Sequence, residues 1–481
     1  MTITKKAKAK KTATNAKAVK APKTAAKKKA VPAATTPDPA PAPRAVTSGA
    51  GIRVRMYRVG FGDFFLVRVP SADGDKFILI DCGVHHVDIK SMPAAAQQMA
   101  QDCGNKLALL IMTHRHADHI SGFGSCAAIF KQFEVERVWM SWFEEPTNKA
   151  AMAFQAGLTA SALRAGQALT LRLAAKGGVD DETEQLLAMA QNATGGMAAA
   201  GGTTPNQTAL NVLHGGFKNK PAYDYYIAGD TPALPDSLIA AGLTAQIIGP
   251  PSDLTLVKQM TNKAQQYLDA DRSDDDAPAP PRPPFPAAFR AAADAYPPQA
   301  FHFYDAARIV QLIDEVQPDL LAAQARAADS TLNNQSLMVH FAFAGKNLLF
   351  VGDAQWGNWE NFLYGGAYSA GRTALTAKAK ALLGAIDFYK VGHHGSANAT
   401  PIDAVKAMRD GCAGMCSTQI DAYPGVPRGP LLTALSTMMH GQLARSDQVA
   451  AGDAQAEPTA DRLPAAFKSG PNGTLYIDYS L

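Results

Sequence analysis

The sequence predicts an α/β fold, because β-like segments open the folded part of the chain and helical segments then alternate with them. Short apolar runs of strand-forming residues, separated by glycines or a polar turn, lie at residues 52–59, 64–69 and 77–80. A strand at 107–113, a helix at 117–133 and a strand at 136–142 follow in β-α-β order. We therefore expect a layered structure in which helices pack on β-sheet.

Later segments extend this pattern. Residues 150–200 are rich in Ala, Leu, Gln and Met, which predicts helix. Further strands are predicted at residues 211–213, 225–228 and 245–249, and a hairpin at 337–343 and 347–352. Residues 269–298 contain many prolines and an acidic run, which indicates a surface insertion or linker. The 481 residues allow one large domain with insertions or two smaller domains, and we assign residues 49–481 to one domain.

Residues 1–48 are predicted to form a disordered basic tail. They alternate Lys with Ala and then turn to Pro, Ala and Thr, so they bury too little apolar surface to fold. Residues 1–44 have a net charge of +11, which leaves −7 for the rest of a chain whose total is +4. Either the tail keeps the protein soluble, or its lysines contact the phosphates of nucleic acid or of another anionic partner.

Composition disfavours membrane and disulfide-stabilised secreted proteins. No apolar run approaches the roughly 20 residues of a membrane-spanning helix, so we expect no transmembrane segment. No apolar segment of the secretory type follows the start of the sequence. Five cysteines form no regular framework, which favours a reducing compartment, so we expect a cytoplasmic protein. Cys412 and Cys416 are either ordinary thiols or a pair that binds a metal or forms a disulfide. The sequence does not indicate an oligomeric state.

Four potential metal ligands follow the strand predicted at 107–113 within six residues: His114, His116, Asp118 and His119. Where a buried strand turns into a helix, two histidines two residues apart can face one pocket. The Asp and the His at the helix start can then reach a second ion. Neutral imidazoles and a carboxylate suit zinc, with manganese or iron as alternatives. The segment therefore predicts a site for two divalent metal ions, with zinc preferred and manganese second.

This segment resembles the HxHxDH signature of the metallo-β-lactamase superfamily. The resemblance implies an αββα sandwich, in which two mixed β-sheets pack face to face with helices outside. It also implies that Asp353 is the carboxylate shared by both metals and that one of His393 and His394 is the last ligand, while the other faces the substrate. We assign His394 as the ligand and His393 to the substrate side, and the reverse assignment stays open. Upstream, Asp81 resembles the family carboxylate that orients a metal-bound histidine without touching the metal.

A narrower resemblance comes from three short motifs. They are a Gly-x-Gly-Asp that ends at Asp63, an Asn-Asn-x-Ser-Leu that begins with Asn333 and Asn334, and a His-His-Gly-Ser that ends at Ser396. Together they look like the hydrolase domain of ComEC-type competence proteins. This resemblance covers roughly residues 52–481 and is loose near the end, where a Gly-His-Pro of that domain is absent. No channel segment is present, so DNA uptake is not implied.

One departure concerns the first metal site. Many superfamily members have a further histidine ligand in the loop before the Asp353 strand, whereas residues 330–336 contain none, as in the ComEC-type branch. Asn333, Asn334 or water is then expected to complete this site, which would be weaker or selective for manganese. His214, at the end of a predicted strand, is an alternative ligand.

These features predict a metal-dependent hydrolase that uses a metal-activated hydroxide. Phosphodiesters are the expected substrates, because two metals neutralise the charge that develops on the attacking and leaving oxygens. Asp118 would orient the hydroxide and take its proton, His393 would contact a phosphoryl oxygen, and Lys390 would favour an anionic substrate. Two alternatives remain open: hydrolysis of another ester, a lactone or an amide on the same centre, and an inactive nucleic-acid-binding scaffold.

Overall fold

Two mixed β-sheets form the centre of the computed structural model of this chain. The structure describes residues 51–85, 91–176, 186, 187, 189, 205–268, 330–420, 422, 423, 425–449, 461–470 and 475–481. The tail predicted at 1–48 and the insertion predicted at 269–298 lie outside these residues.

The first sheet has eight strands within the described ranges. They are β1 (Arg53–Tyr57), β2 (Phe64–Val69), β3 (Lys76–Cys82), β4 (Lys106–Met112), β5 (Glu134–Ser141), β6 (Ala222–Tyr226), β13 (Lys468–Ser469) and β14 (Tyr476–Ser480). Their order is β13-β14-β1-β2-β3-β4-β5-β6. Neighbours are antiparallel from β13 to β3 and parallel from β3 to β6.

The second sheet has six strands in the same described part of the chain. They are β7 (Thr244–Gly249), β8 (Met338–Phe343), β9 (Lys346–Phe350), β10 (Phe388–Lys390), β11 (Ala413–Cys416) and β12 (Leu443–Arg445). Their order is β12-β11-β10-β9-β8-β7. The pairs β7/β8 and β8/β9 are antiparallel, and the strands from β9 to β12 are parallel.

Helices flank the sheets. They are α1 (Met92–Cys103), α2 (Ala117–Ser125), α3 (Ala127–Phe130), α4 (Lys149–Lys176), α5 (Pro205–Leu213), α6 (Asp236–Ala241), α7 (Leu254–Val257), α8 (Trp356–Tyr364), α9 (Ala377–Leu383), α10 (Ile402–Ala407) and α11 (Gly429–Met438). Short 3₁₀ turns occupy Trp142–Glu144, Lys263–Gln265 and His393–Gly395. No described helix combines the length and the apolar character needed to cross a bilayer.

Alternation of side chains along the strands produces three apolar layers. In β2, Phe65 and Val67 belong to a cluster shared with strands of the second sheet, whereas Phe64 and Leu66 belong to a cluster shared with α1, α2 and α5. The opposite face of the second sheet packs against α8, α9, α10 and α11 in a third cluster. The order of layers is therefore helices, sheet, sheet, helices.

Most predicted elements are present, including the hairpin β8-β9 and the β-α-β segment around α2. The helix predicted at 117–133 is interrupted and forms α2 and α3. The strand predicted at 211–213 is wrong, because these residues end α5, where Val212 and Leu213 pack into the cluster on the outer face of the first sheet. Three positions, of which two are apolar, are too few to distinguish strand alternation from a helical period.

Candidate metal centre

Loops from both sheets meet at one edge of the sandwich. In the HxHxDH segment, the first two histidines lie in the loop between β4 and α2, and the aspartate and the last histidine lie in the first turn of α2. From the second sheet, Asp353 follows β9 and His394 follows β10. Residues far apart in sequence therefore converge because the carboxyl ends of their strands share this edge.

Three groups of described side chains at this edge could each hold a metal ion, and within each group one ligand atom per residue lies within 4.8 Å of the others. One of them, Asp63, Asp81 and His119, lies on the Nδ1 side of the His119 ring, and the predicted ligands form the other two. The first group is His114, His116 and Asp353, and the second is Asp118, His119, Asp353 and His394. Asp353 belongs to both groups, which is the arrangement expected of a carboxylate shared by two ions. All six residues predicted as metal ligands are thus brought together.

The unsatisfied polar atoms at this point fit a bound cation. Both carboxylate oxygens of Asp353 and the Nε2 atoms of His114 and His119 are buried and lack a hydrogen-bond partner of acceptable geometry within the described residues. Buried polar atoms are normally paired, since leaving one without a partner costs about 1–3 kcal/mol. Imidazole nitrogens and carboxylate oxygens are the ligand atoms that zinc and manganese take in proteins.

The electrostatics of the second ligand group also favour the binding of a positively charged species. Burial alone would lower the pKa of His394, but the charge of Asp353 and the hydrogen bond with Asp118 outweigh it and raise that pKa to about 10. Burial likewise opposes the protonation of His119, yet nearby carboxylates, Asp353 foremost, hold its pKa well above the usual value. Burial would raise the pKa of Asp353, but the His119 and His394 charges keep it well below its usual value. The carboxylates therefore attract a cation, either a proton or a metal ion, to the imidazole nitrogens.

In two ligand histidines, His119 and His394, the Nδ1 atom has a specific hydrogen-bond partner. Nδ1 of His119 lies 2.7 Å from Oδ2 of Asp81, whose two oxygens also accept from the backbone N–H and the hydroxyl of Thr113 at 2.8 and 2.6 Å. Nδ1 of His394 donates to the carbonyl oxygen of Ser417 at 2.8 Å. A histidine that donates from Nδ1 presents the Nε2 lone pair to the ligand group. The predicted role of Asp81 in orienting a ligand agrees with this geometry.

Two glycines allow the Asp63 and Asp81 loops to approach the start of α2. A Cβ on Gly83 would lie 2.4 Å from the carbonyl carbon of Asp118, and a Cβ on Gly62 would lie 2.8 Å from the carbonyl oxygen of Asp118. Both distances are shorter than real side chains tolerate, so any larger residue would displace the ligand-bearing backbone. The glycines of the Gly-x-Gly-Asp and Asp-x-Gly motifs therefore have a steric explanation.

His393 lies beside the ligand groups without belonging to either. Its Nδ1 is 2.7 Å from the Ser396 hydroxyl oxygen and 3.1 Å from Oδ1 of Asn398, and its Nε2 is 3.3 Å from Nδ2 of Asn333. His393 and His394 have φ values of 44° and 52°, a left-handed conformation that is uncommon outside glycine and concentrates at functional sites. Oδ1 of Asn333 is buried and makes no hydrogen bond within the described residues. The Asn333 amide therefore keeps hydrogen-bonding capacity beside the ligand groups.

Two predicted site residues occupy other positions than expected. Asn334 does not join the centre: its Nδ2 donates to the carbonyls of Val257 and Gln259 at 3.1 and 2.8 Å, and its Oδ1 accepts from the backbone of Gln355 at 2.9 Å. Lys390 is buried behind the ligands, where its ammonium group forms an ion pair with Asp63. A lysine in this position cannot touch a substrate that binds on the open side.

The alternative ligands are absent from the ligand groups. His214 lies on the surface just after α5, with its ring 6.3 Å from that of Tyr223. Cys412 and Cys416 are buried free thiols in the cluster between the second sheet and its helices. They form no disulfide, and neither belongs to a ligand group of three or more residues within the described part of the chain.

Several supporting residues were not predicted. Thr113, Ser336 and Ser417 contact the ligand histidines or their partners, with the hydroxyl oxygens of Thr113 and Ser336 at 3.1 and 3.2 Å from Nδ1 of His114. Arg115 forms a two-pronged ion pair with Glu144 at 2.9 and 2.6 Å, which ties the histidine loop to the 3₁₀ turn after β5. Each of the three hydroxyl residues flanks a strand end, which is the signal that could have identified it.

No family model matches this chain, and no curated protein matches it.

Proposed function

We propose that this protein is a metal-dependent hydrolase of the metallo-β-lactamase type that acts on phosphodiesters. The observation that supports this best is Asp353, whose buried oxygens lie between one group of ligands from the β4–α2 loop and a second group that includes His119 and His394. Two ligand groups with a common carboxylate would hold two ions a few Å apart, as hydrolases with paired metals do.

The ligand set fits zinc best and manganese second. When bound, two such ions supply Lewis acidity to the substrate and lower the pKa of a coordinated water towards neutrality. The missing loop histidine leaves His114, His116 and Asp353 as the protein ligands of one group.

Asp118 has the position of a group that handles a proton. Its side chain is 14% exposed, whereas those of His119, Asp353 and His394 are 1% exposed or less. One oxygen, Oδ2, is 3.0 Å from Nε2 of His394. The more open side of this carboxylate can therefore orient the attacking water and accept its proton.

His393 and Asn333 would contact the substrate next to the metals. Ser396 and Asn398 hold one side of the His393 ring, and Asn333 lies on the other side. The Nδ2 group of Asn333 has a second N–H that can donate to a non-bridging oxygen of a phosphodiester, and a proton on Nε2 would let His393 donate as well. The similarity of these motifs to the ComEC-type hydrolase domain supports the phosphodiester over carbonyl substrates.

The test combines metal analysis with a substrate panel. The full chain, its metal content measured, is assayed with zinc or manganese against bis-p-nitrophenyl phosphate, single-stranded DNA and a set of lactams and lactones. We expect metal-dependent phosphodiester hydrolysis that is lost in Asp353→Ala and kept in Asp224→Asn, which removes a surface partner of Arg137.

The other outcomes are equally informative. Hydrolysis of the carbonyl substrates alone would overturn the phosphodiester assignment while leaving the metal centre in place. Bound metal without any hydrolysis would favour an inactive scaffold. Equal activity in Asp353→Ala and the parent would show that the chemistry lies elsewhere.

A further inference from the structure

A buried lysine lies directly behind the candidate metal centre. The side chain of Lys390 extends from the end of β10 and is 2% exposed. Its Nζ forms an ion pair with Oδ2 of Asp63, donates to the carbonyl oxygen of Gly352 at 3.1 Å and lies 3.8 Å from Oδ1 of Asp353. One ammonium group therefore connects the loop before β2 with the loop that carries the shared carboxylate.

Asp63, in turn, contacts both histidines of the second ligand group from the side that faces away from the ligand atoms. Its Oδ2 lies 3.7 Å from Nδ1 of His119, and its Oδ1 lies 3.8 Å from Nδ1 of His394. Oδ1 also accepts a hydrogen bond from the hydroxyl of Ser417. The backbone N–H of Asp63 donates to the carbonyl of Asp118 at 2.8 Å. Asp63 therefore touches three ligands, His119 and His394 through its carboxylate and Asp118 through its backbone N–H.

Charge balance explains why a lysine occupies this position. Asp63 and Asp353 are each 3% exposed or less at the side chain, and an uncompensated buried carboxylate is strongly unfavourable. The Lys390 ammonium contacts the first and lies near the second, so it stabilises both in their ionised forms. The contacts of its Nζ are with Asp63, Asp353 and the Gly352 carbonyl oxygen.

We propose that Lys390 is a positioning residue that fixes Asp63 against His119 and His394 and thereby sets the metal affinity of the second ligand group. This inference rests on the metal-binding part of the proposed function and not on hydrolysis. It differs from the sequence-based expectation that this lysine attracts an anionic substrate.

The experiment measures zinc affinity by competition with a chromogenic chelator and records the visible spectrum of the cobalt-substituted protein. The variants are Lys390→Met, Asp63→Asn, and the two combined, each checked for folding by circular dichroism. Lys346→Met is the control, because Lys346 also lies near an aspartate, Asp387 at 3.8 Å, but at the opposite end of β9 from the centre.

We expect Lys390→Met to weaken zinc binding by about 10- to 100-fold, the range for residues that orient ligands, and to alter the cobalt spectrum. The double variant should recover much of this loss, since Asp63→Asn removes the charge that needs balancing and keeps an amide oxygen that can accept from Ser417. Lys346→Met should leave both readouts unchanged.

Three results would overturn the inference. Lys390→Met could bind zinc as the parent does, the cobalt spectrum could stay unchanged, or the double variant could lose as much affinity as the two single losses added together. If Lys390→Met fails to fold and the double variant folds, zinc affinity of the double variant close to that of the parent supports the inference. A loss of the size expected for Lys390→Met overturns it. A parent protein that binds no zinc would refute the proposed function itself, whereas zinc binding without hydrolysis would leave this inference standing.

Discussion

The substitution Asp81→Asn tests how one metal ligand is oriented and leaves the rest of the fold nearly unchanged. Asp81 accepts three hydrogen bonds, two from Thr113 and one from His119 Nδ1. Its φ of 54° lies in the left-handed region, where asparagine is tolerated as well as aspartate, so the substitution adds no backbone strain. The side chains have nearly the same shape. The change therefore removes the charge and one acceptor oxygen and little else.

The ligand affected by this change is His119, whose Nδ1 has Asp81 as its hydrogen-bond partner. If the NH2 end of the new amide faces Nδ1 of this ring, it can only donate, which requires the imidazole to carry its hydrogen on Nε2, the atom that faces the ligand group. A hydrogen bond to a charged group contributes about 1.5–3 kcal/mol. Loss of a partner that orients a ligand weakens metal binding by about 10- to 100-fold, or about 1.4–2.7 kcal/mol. The two ranges agree, so we expect a zinc dissociation constant raised by one to two orders of magnitude.

Chelator competition with zinc measures this change, and isothermal titration calorimetry provides an independent value. Asp403→Asn is the control, because Asp403 accepts from Tyr364 at 2.6 Å and from Gln265 at 3.0 Å in the helical layer of the second sheet. It should affect stability without changing zinc affinity. If folded Asp81→Asn binds zinc within about twofold of the parent while His119→Ala binds it far more weakly, Asp81 does not orient this ligand.

Three further predictions follow from the packing. Gly83→Ala would place a Cβ 2.4 Å from the backbone at the start of α2, so it should lower both stability, by about 1–3 kcal/mol, and zinc affinity. Gly157→Ala, which meets no atom within 4 Å, should do neither, and equal behaviour of the two variants would contradict the steric explanation. Arg55→Met should destabilise by about 3–5 kcal/mol in urea unfolding, because it leaves Asp102 and Asp478 without their buried partner. Its zinc affinity should stay unchanged, and a large loss of affinity would show that this ion pair reaches the centre. Zinc at 100 times its dissociation constant should stabilise the fold by about 2.7 kcal/mol, and a melting temperature that chelation leaves unchanged would refute binding to the folded state.

The ligands of the first sheet could be predicted because they are neighbours in sequence. A strand that ends just before Thr113 and a helix that starts at Ala117 fix the directions of the histidines and the aspartate between and after them. Asp353 and His394 were predicted only through the family resemblance. Their distance from the other ligands depends on how two sheets pack, and no local pattern specifies that.

The buried position of Lys390 follows from the alternation of side chains along β10. Along β10, Phe388 belongs to the cluster between the sheets and Tyr389 to the cluster under the helices. Alternation therefore turns Lys390 back towards the space between the sheets, where Asp63 meets it. The strand period thus favours a buried Lys390, whereas its position next to the histidine pair favours contact with substrate.

Asn334 could not have been placed by the same means. It lies in an irregular turn before β8, where no period determines which side chain points towards the centre. The carbonyls that it binds belong to Val257 and Gln259, which lie 77 and 75 residues earlier in sequence, so its role is a property of the tertiary structure. Asn333, one residue away, faces His393 instead.

The polar contacts at this edge also bear on how the two sheets align. The cluster between the sheets consists of apolar side chains, and apolar packing of about the right volume tolerates small shifts of one surface over another. The contacts from Lys390 to Asp63 and from Asp63 to Ser417 are directional, and each joins the second sheet to the first. A shift of about 1 Å would break them and would separate Asp353 from His119, which now lie 3.1 Å apart. A centre whose ligands come from both sheets requires this alignment, and these directional contacts favour it.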